Sequence, residues 1–386
     1  MLFQSKLPNP ETTIFTIMSS MAKEYDAINL GQGFPDFDCD ERLKALVSKY
    51  LQEGKNQYSP MPGLPELRQT LSEKIRKTYH REVSSETQIC ITSGATQAIF
   101  TAIQAFIQDG DEVIIMEPAY DCYQPAIRIA GGLPRIYRMT SPDYTIDWDR
   151  IHDMVTDQTK MIIINTPHNP TGTLLVEKDL QSLEQIVSGK DIIVLSDEVY
   201  EHLIYDEEEH QSVIRFPHLF EQSLAVFSFG KTLHATGWKL GYIVGPEKLI
   251  TEFKNIHQWN VFSVHSFTQY AISDYLKQPE SYLQLPEFFE KKRDYLTELL
   301  ADTPLIPYPS KGTYFQRYSY AEVSTQNDVD FAKFLTKEIG VATIPMSPFY
   351  TKTLDDHVIR LCFAKKNETL EKAAQKLRKL SQMAVK

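Results

Sequence analysis

"KMIIINTPHNPTG", residues 160–172, is a β-branched apolar run that stops abruptly in polar, proline-rich sequence. Four apolar residues in a row are too few for a helix and do not alternate, so they read as a strand buried on both faces. The layout recurs. "QICI" (88–91) leads into "TSGAT", "DEVIIM" (111–116) into "EPAYD", "DIIVL" (191–195) into "SDEVY", and "LAVFS" (224–228) into "FGK". Helical patterns such as "QAIFTAIQAFIQ" (97–108) and "EKDLQSLEQIVSG" (177–189) separate several of them. Strands alternating with helices predict an α/β fold with a mostly parallel sheet between helices. Ligands of such sheets lie outside the carboxyl ends of the strands, where these five runs place Thr, Asn, Asp, Tyr and Lys.

Past residue 280 the pattern changes. "SYLQLPEFFEKKRDYLTELL" (281–300) reads as a helix, "GTYFQRYSY" and "HVIRLCFA" as strands, and "NETLEKAAQKLRKLSQM" (367–383) as a closing amphipathic helix. The expected organisation is a large domain over 45–279 and a smaller α+β domain over 280–386. An arm, 1–44, carrying Pro8, Pro10 and Pro35, crosses back to the latter.

At 386 residues the chain is long enough for two domains, and a net charge of −11 without a basic stripe argues against nucleic acid. Cys39, Cys90, Cys122 and Cys362 are far apart and form no CxxC pair, which predicts neither a metal site nor a disulfide framework. No run approaches the ~20 apolar residues of a membrane span. The start lacks a signal-peptide layout, so a cytoplasmic location is expected.

Lys231 follows the apolar "LAVFSF". An amine desolvated or set near another cation loses its proton more easily and becomes a carbonyl nucleophile, and an aldehyde cofactor is the natural electrophile. Asp197 ends a buried strand and needs a cation or several donors; taken by itself, the favoured reading is a cap on the next helix, with Tyr200 in the core. Pro167 and Pro170 stiffen the loop and fix Asn169, although a plain turn explains them too. "TSGATQA" opens a helix whose free N–H groups can hold a phosphate, or Ser93 simply caps it. Arg360, with Val358 and Cys362 on its face of a strand, needs an anion: a structural carboxylate or a substrate α-carboxylate. Other matches fail. "GKT" lacks the P-loop glycine at Ala225, Asp36 spoils the dinucleotide fingerprint in "GQGFPD", and "SFGK" has no serine-acylase companion motifs.

Together, "INLGQGFPDF", "NQYSPMPG", "NTPHNPTG", "SDEVY", "SFGKTLHATGWKLGY" and "IRLCFAK" resemble, in order and spacing, the class I aminotransferases of pyridoxal-phosphate (PLP) fold type I. Within that family the chain most resembles the methionine aminotransferase and kynurenine aminotransferase (cysteine-S-conjugate β-lyase) group. The resemblance implies PLP as cofactor, linked as an imine to Lys231. Asp197 would pair with the pyridine nitrogen, Asn169 and Tyr200 with the ring oxygen, and Tyr120 would stack on the ring. Ala95, Thr96, Ser228 and Lys239 would bind the phosphate, with Lys239 standing where relatives commonly carry arginine. Tyr58 would reach the phosphate of a neighbouring subunit in a homodimer. Arg360, Asn169 and the Gly33 backbone would hold the substrate carboxylate, with Phe15 beside it. Phe15, Tyr58, Tyr120, Phe262, Tyr314 and Phe349 are expected to approach the site and to favour apolar, sulfur-containing or aromatic donors over aspartate. A C–S β-lyase on the same fold shares the carbanion chemistry and stays open, as does, less readily, a non-catalytic PLP-binding regulator.

Overall fold

The computed structural model describes residues 5–7, 12–352 and 354–382. Pro8, Pro10 and Met383, which the sequence reading placed in the arm and the last helix, lie outside them. After the helix Ile14–Glu24, the short strand β1 (Ile28–Asn29) carries the chain to the first glycines. Seven further strands then build one sheet: β2 (Ile89–Thr92), β3 (Glu112–Glu117), β4 (Leu133–Arg138), β5 (Thr159–Asn165), β6 (Ile193–Asp197), β7 (Ser223–Ser228) and β8 (Gly241–Val244). Their order is β2-β8-β7-β6-β5-β3-β4. β2 and β3 are buried at every position, as strands covered on both faces must be. The helices Ala95–Phe106 and Glu177–Val187 pack in separate apolar clusters, the first with Val113, Ile115 and Ile163, the second with Ile114, Ile162 and Ile164. Adjacent residues of one strand thus face opposite layers, and each fully buried isoleucine contributes about 1.5–3 kcal/mol of apolar transfer.

One strand departs from the parallel pattern. β8 runs antiparallel to both β2 and β7, with Gly241 opposite Thr92 and Ser228. The amino end of β8 therefore sits among the carboxyl ends of its neighbours. A Cβ on Gly241 would lie 2.5 Å from the Phe227 carbonyl and 3.1 Å from the Ala95 nitrogen, so only glycine lets these backbones approach.

The remaining strands are β9 (Ile306–Pro307), β10 (Phe315–Ser319), β11 (Val341–Ala342), β12 (Ile344–Pro345) and β13 (Val358–Cys362). β12-β13-β10-β9 form an antiparallel sheet, and β1 pairs in parallel with β11, which fastens the N-terminal segment to the C-terminal part. The segment 281–300, read from sequence as one helix, is broken. It forms Glu280–Leu283 and Leu285–Leu299, because Pro286 lacks an N–H and suits a first turn rather than a helix interior.

Candidate active site

The loops at the carboxyl edge of the large sheet enclose a cavity of about 170 Å³, whose lining includes Ala95, Thr96, Tyr120, Asn169, Asp197, Tyr200, Ser228, Lys231 and Lys239. Lys231 lies in a single helical turn, Phe229–Thr232, directly after β7. Its Nζ donates to Tyr314 Oη at 2.8 Å and to the Gly33 carbonyl at 3.1 Å. Burial, reinforced by the Arg360 and Lys239 cations, pushes its pKa down to about 8. An amine with that pKa holds an appreciable neutral fraction near pH 7–8.

Asp197 closes β6. No helix follows, only a turn through His202, so the helix-cap alternative does not hold. Its Oδ2 accepts from Tyr123 Oη at 2.6 Å, and the Val199 N–H approaches Oδ1 at 3.4 Å. Burial pushes the carboxyl pKa up to about 6, and the tyrosine bond only partly offsets it. Asn165, at the end of β5, donates to the Asp197 carbonyl at 2.8 Å and accepts from the Asn169 N–H at 2.8 Å. One side chain thereby ties the proline-flanked loop to β6.

The helix Ala95–Phe106 begins without a side-chain cap, after Gly94 at φ +79°. A Cβ at Gly94 would meet Lys239 Nζ at 3.5 Å, which places the amine beside the unsatisfied N–H groups of the first turn. Amides, the helix dipole and an ammonium converge there on one small volume suited to an anion. Thr96 and Tyr120 exchange a hydroxyl hydrogen bond at 3.3 Å.

Arg360 enters from the other sheet. It is 1% exposed, its guanidinium lies 3.7 Å from the Phe315 ring centroid, and Phe349 and Phe15 flank it at 5.3 and 5.5 Å. Its Nη1 donates to Asn169 Oδ1 at 2.6 Å and its Nη2 to the Gly31 carbonyl at 3.2 Å, while Nε is buried with no hydrogen-bond partner among the described residues. Burial pushes its pKa down to about 10.

The family model for aminotransferase class I and II matches residues 25–377 of this chain. The chain belongs to this family. It is 44% identical to a methionine aminotransferase of Escherichia coli over 378 residues, covering 98% of each chain. It is 32% identical to kynurenine–oxoglutarate transaminase 1 of Rattus norvegicus, again over 98% of each. A crystal structure of a methionine aminotransferase from Escherichia coli superposes with a TM-score of 0.96 at 43% identity, covering 98% of this chain and all of the other. The large mostly parallel sheet and the smaller sheet are those of PLP fold type I, and the chain is an aminotransferase.

Within this aminotransferase the structure gathers most of the residues singled out from sequence. Gly33 contributes its carbonyl to Lys231 and Tyr314, and Phe15 packs edge-on against Phe349 at 5.7 Å. Two residues stand apart. Tyr58 is 82% exposed and Phe262 49%, and they pack on each other at 5.3 Å rather than on the cavity of their own chain. The sequence reading missed Tyr123, Asn165 and the Tyr314 hydroxyl. Tyr123 opens the helix Tyr123–Ile129 three residues after Tyr120, and Asn165 ends an apolar run; those positions were the available signal. Tyr314 was foreseen only as an aromatic wall. Among the described residues no helix is long and apolar enough to cross a membrane.

Proposed function

We propose that this chain is a PLP-dependent aminotransferase that moves the amino group of a sulfur-containing or aromatic amino acid to a 2-oxo acid. The observation that carries the reading is the Lys231 amine, its pKa lowered to about 8, in one cavity with the buried Asp197 carboxylate. Enzymes of this family use pyridoxal phosphate, and the residues present fit it. Asp197, a buried carboxylate with raised pKa, suits a protonated ring nitrogen. The uncapped helix start with Lys239 and Ser228 suits a phosphate. Tyr200 and Asn169 reach the same cavity with a hydroxyl and an amide suited to the ring oxygen.

When bound, the cofactor supplies an aldehyde for imine exchange and a ring that accepts the electron pair left by the α-proton. Lys231 Nζ takes the proton from the donor α-carbon and returns one during transfer, for which a pKa near working pH is best. Asp197 holds positive charge on the ring side, where its negative charge matters most as electron density builds up. Tyr123 holds that carboxylate in place. Arg360, fixed by Asn169, offers guanidinium donors to the substrate carboxylate. The donor leaves as a 2-oxo acid before the acceptor enters, so the kinetics are ping-pong.

The substrate class is inferred from the walls. Among the described residues lining the cavity the cations are Lys231 and Lys239, and the approach to Arg360 is made of Phe15, Phe315 and Phe349. A second substrate carboxylate would be left unpaired at a cost of about 1–3 kcal/mol or more. The names of the methionine and kynurenine relatives support the same class. Exposed Tyr58, beside exposed Phe262, supports a homodimer in which it reaches the partner's site. The cytoplasmic location and the division at 1–44, 45–279 and 280–386 belong to the same proposal, the division being supported by the β1–β11 pairing. Steady-state kinetics across methionine, phenylalanine, tyrosine, leucine, kynurenine and aspartate test the substrate class. Aspartate is expected to be roughly tenfold or more poorer in kcat/KM than methionine and phenylalanine. Parity or better for aspartate would refute the aromatic-pocket reading.

A further inference from the structure

Arg317 and Arg360 stand directly opposite each other on β10 and β13, and both are 1% exposed. Like charges at directly opposed positions of a sheet repel. Arg317 is 146 residues from the cavity loop in sequence, yet its Nε donates to the Thr171 carbonyl at 2.6 Å. Its Nη1 donates to the Pro142 carbonyl at 3.3 Å and its Nη2 to the Pro309 carbonyl at 3.2 Å. All three acceptors are main-chain carbonyls, and the guanidinium lies 4.6 Å from the Tyr144 ring centroid. A buried arginine satisfied by neutral carbonyls costs more to bury than a paired one.

What it grips explains the place. Thr171 lies two residues after Asn169 in a loop that closes on itself, with the Gly172 N–H donating to the His168 carbonyl at 2.8 Å and the His168 N–H to the Thr173 carbonyl at 2.9 Å. Arg360 holds Asn169 Oδ1 from the same face of the same sheet. The two arginines thus take one loop at two points: Arg360 by a side chain, Arg317 by the main chain. Pro142 ties in the loop that follows β4 as well.

We infer that Arg317 is a positioning residue of this aminotransferase: by clamping the Thr171 carbonyl it fixes Asn169 against Arg360 and so pre-sets the donors offered to the substrate carboxylate. The inference rests on the function proposed above. Because every amino donor carries the same carboxylate, loss of the clamp acts alike on all of them.

The test uses holoenzyme with Arg317→Leu, Arg317→Lys and Arg317→Gln. Arg317→Leu is expected to raise KM about tenfold by the same factor for methionine and phenylalanine, with kcat changed less than about threefold, as suits a lost charged hydrogen bond. Arg317→Lys, which retains one donor and the charge, is expected to recover part of the loss. Without substrate, amide hydrogen exchange at residues 168–173 is expected to quicken in Arg317→Leu and to stay unchanged in the large sheet. Unchanged KM in a folded Arg317→Leu, or a loss falling mainly on kcat, overturns the inference. If Arg317→Leu does not fold, Arg317→Gln and Arg317→Lys carry the same measurements. A wild-type protein that transaminates no donor defeats the functional reading, and the exchange at 168–173 still decides whether the clamp exists.

Discussion

The two sheets supply the site in opposite ways. The large sheet delivers Asp197, Asn165 and Lys231 from strand ends and the turns just beyond them, while the small sheet delivers Arg360 and Arg317 from the middle of paired strands. A strand end is held on one side and free on the other, so its side chain can reach a cavity while its backbone stays anchored. A mid-strand residue is aimed by the pleat and by the register of its neighbour. Chemistry at strand ends is therefore written locally, and chemistry at strand middles depends on what lies across.

The sharpest way to break this comparison is at the strand end. Lys231→Ala is expected to lower turnover by on the order of 10⁴ or more while cofactor still binds, since it removes the group that moves the proton. Borohydride reduction of wild type, followed by peptide mapping, should fix the cofactor on Lys231; label on Lys239 would reverse the assignment.

The mid-strand counterpart is Arg360→Lys. It keeps the charge but loses the planar fork, and a fall of about 10²-fold in kcat/KM carried mainly by KM is expected. A loss confined to kcat would mean that Arg360 serves the chemistry rather than the carboxylate.

The third effect is a pH slope in the stability of the cofactor-free protein. Burial raises the Asp197 pKa to about 6, so the folded state binds its proton more tightly than the unfolded chain does. That contribution favours the fold at low pH and fades as pH rises through about 6. Relative to wild type, Asp197→Asn should gain up to about 1.4 kcal/mol per pH unit between pH 4 and 6, and nothing further above it. Urea titrations of both proteins at several pH values measure this, and parallel pH profiles would show that Asp197 already has a stronger partner than Tyr123.

How much could be read in advance follows the same division. The five apolar runs with polar endings located the sheet, the cavity edge and Asn169, Asp197 and Lys231, because each run and its ending lie within a dozen residues. Lys239 was assigned by resemblance alone. Its physical reason is that β8 runs backwards, so Lys239, two residues before its amino end, joins the carboxyl ends of its neighbours. Tyr123 was passed over because nothing in "YDCY" says that its hydroxyl turns to a strand two positions away in the sheet. Arg317 lies inside the strand read from "GTYFQRYSY", and only the register of β10 on β13 sets it opposite Arg360.

By itself the sequence determined the layered α/β architecture, the loops that carry the chemistry and the family, since periodicity, breaker residues and motif order are properties of short stretches. Tertiary structure alone decided the reversed β8, the partner of Asp197, the lowered pKa of Lys231 and the paired arginines behind Asn169. Each of these depends on groups far apart in the chain: pairing within the large sheet sets β8 and brings Tyr123 to Asp197, and the meeting of the two sheets buries Lys231 and brings the arginines to the Asn169 loop.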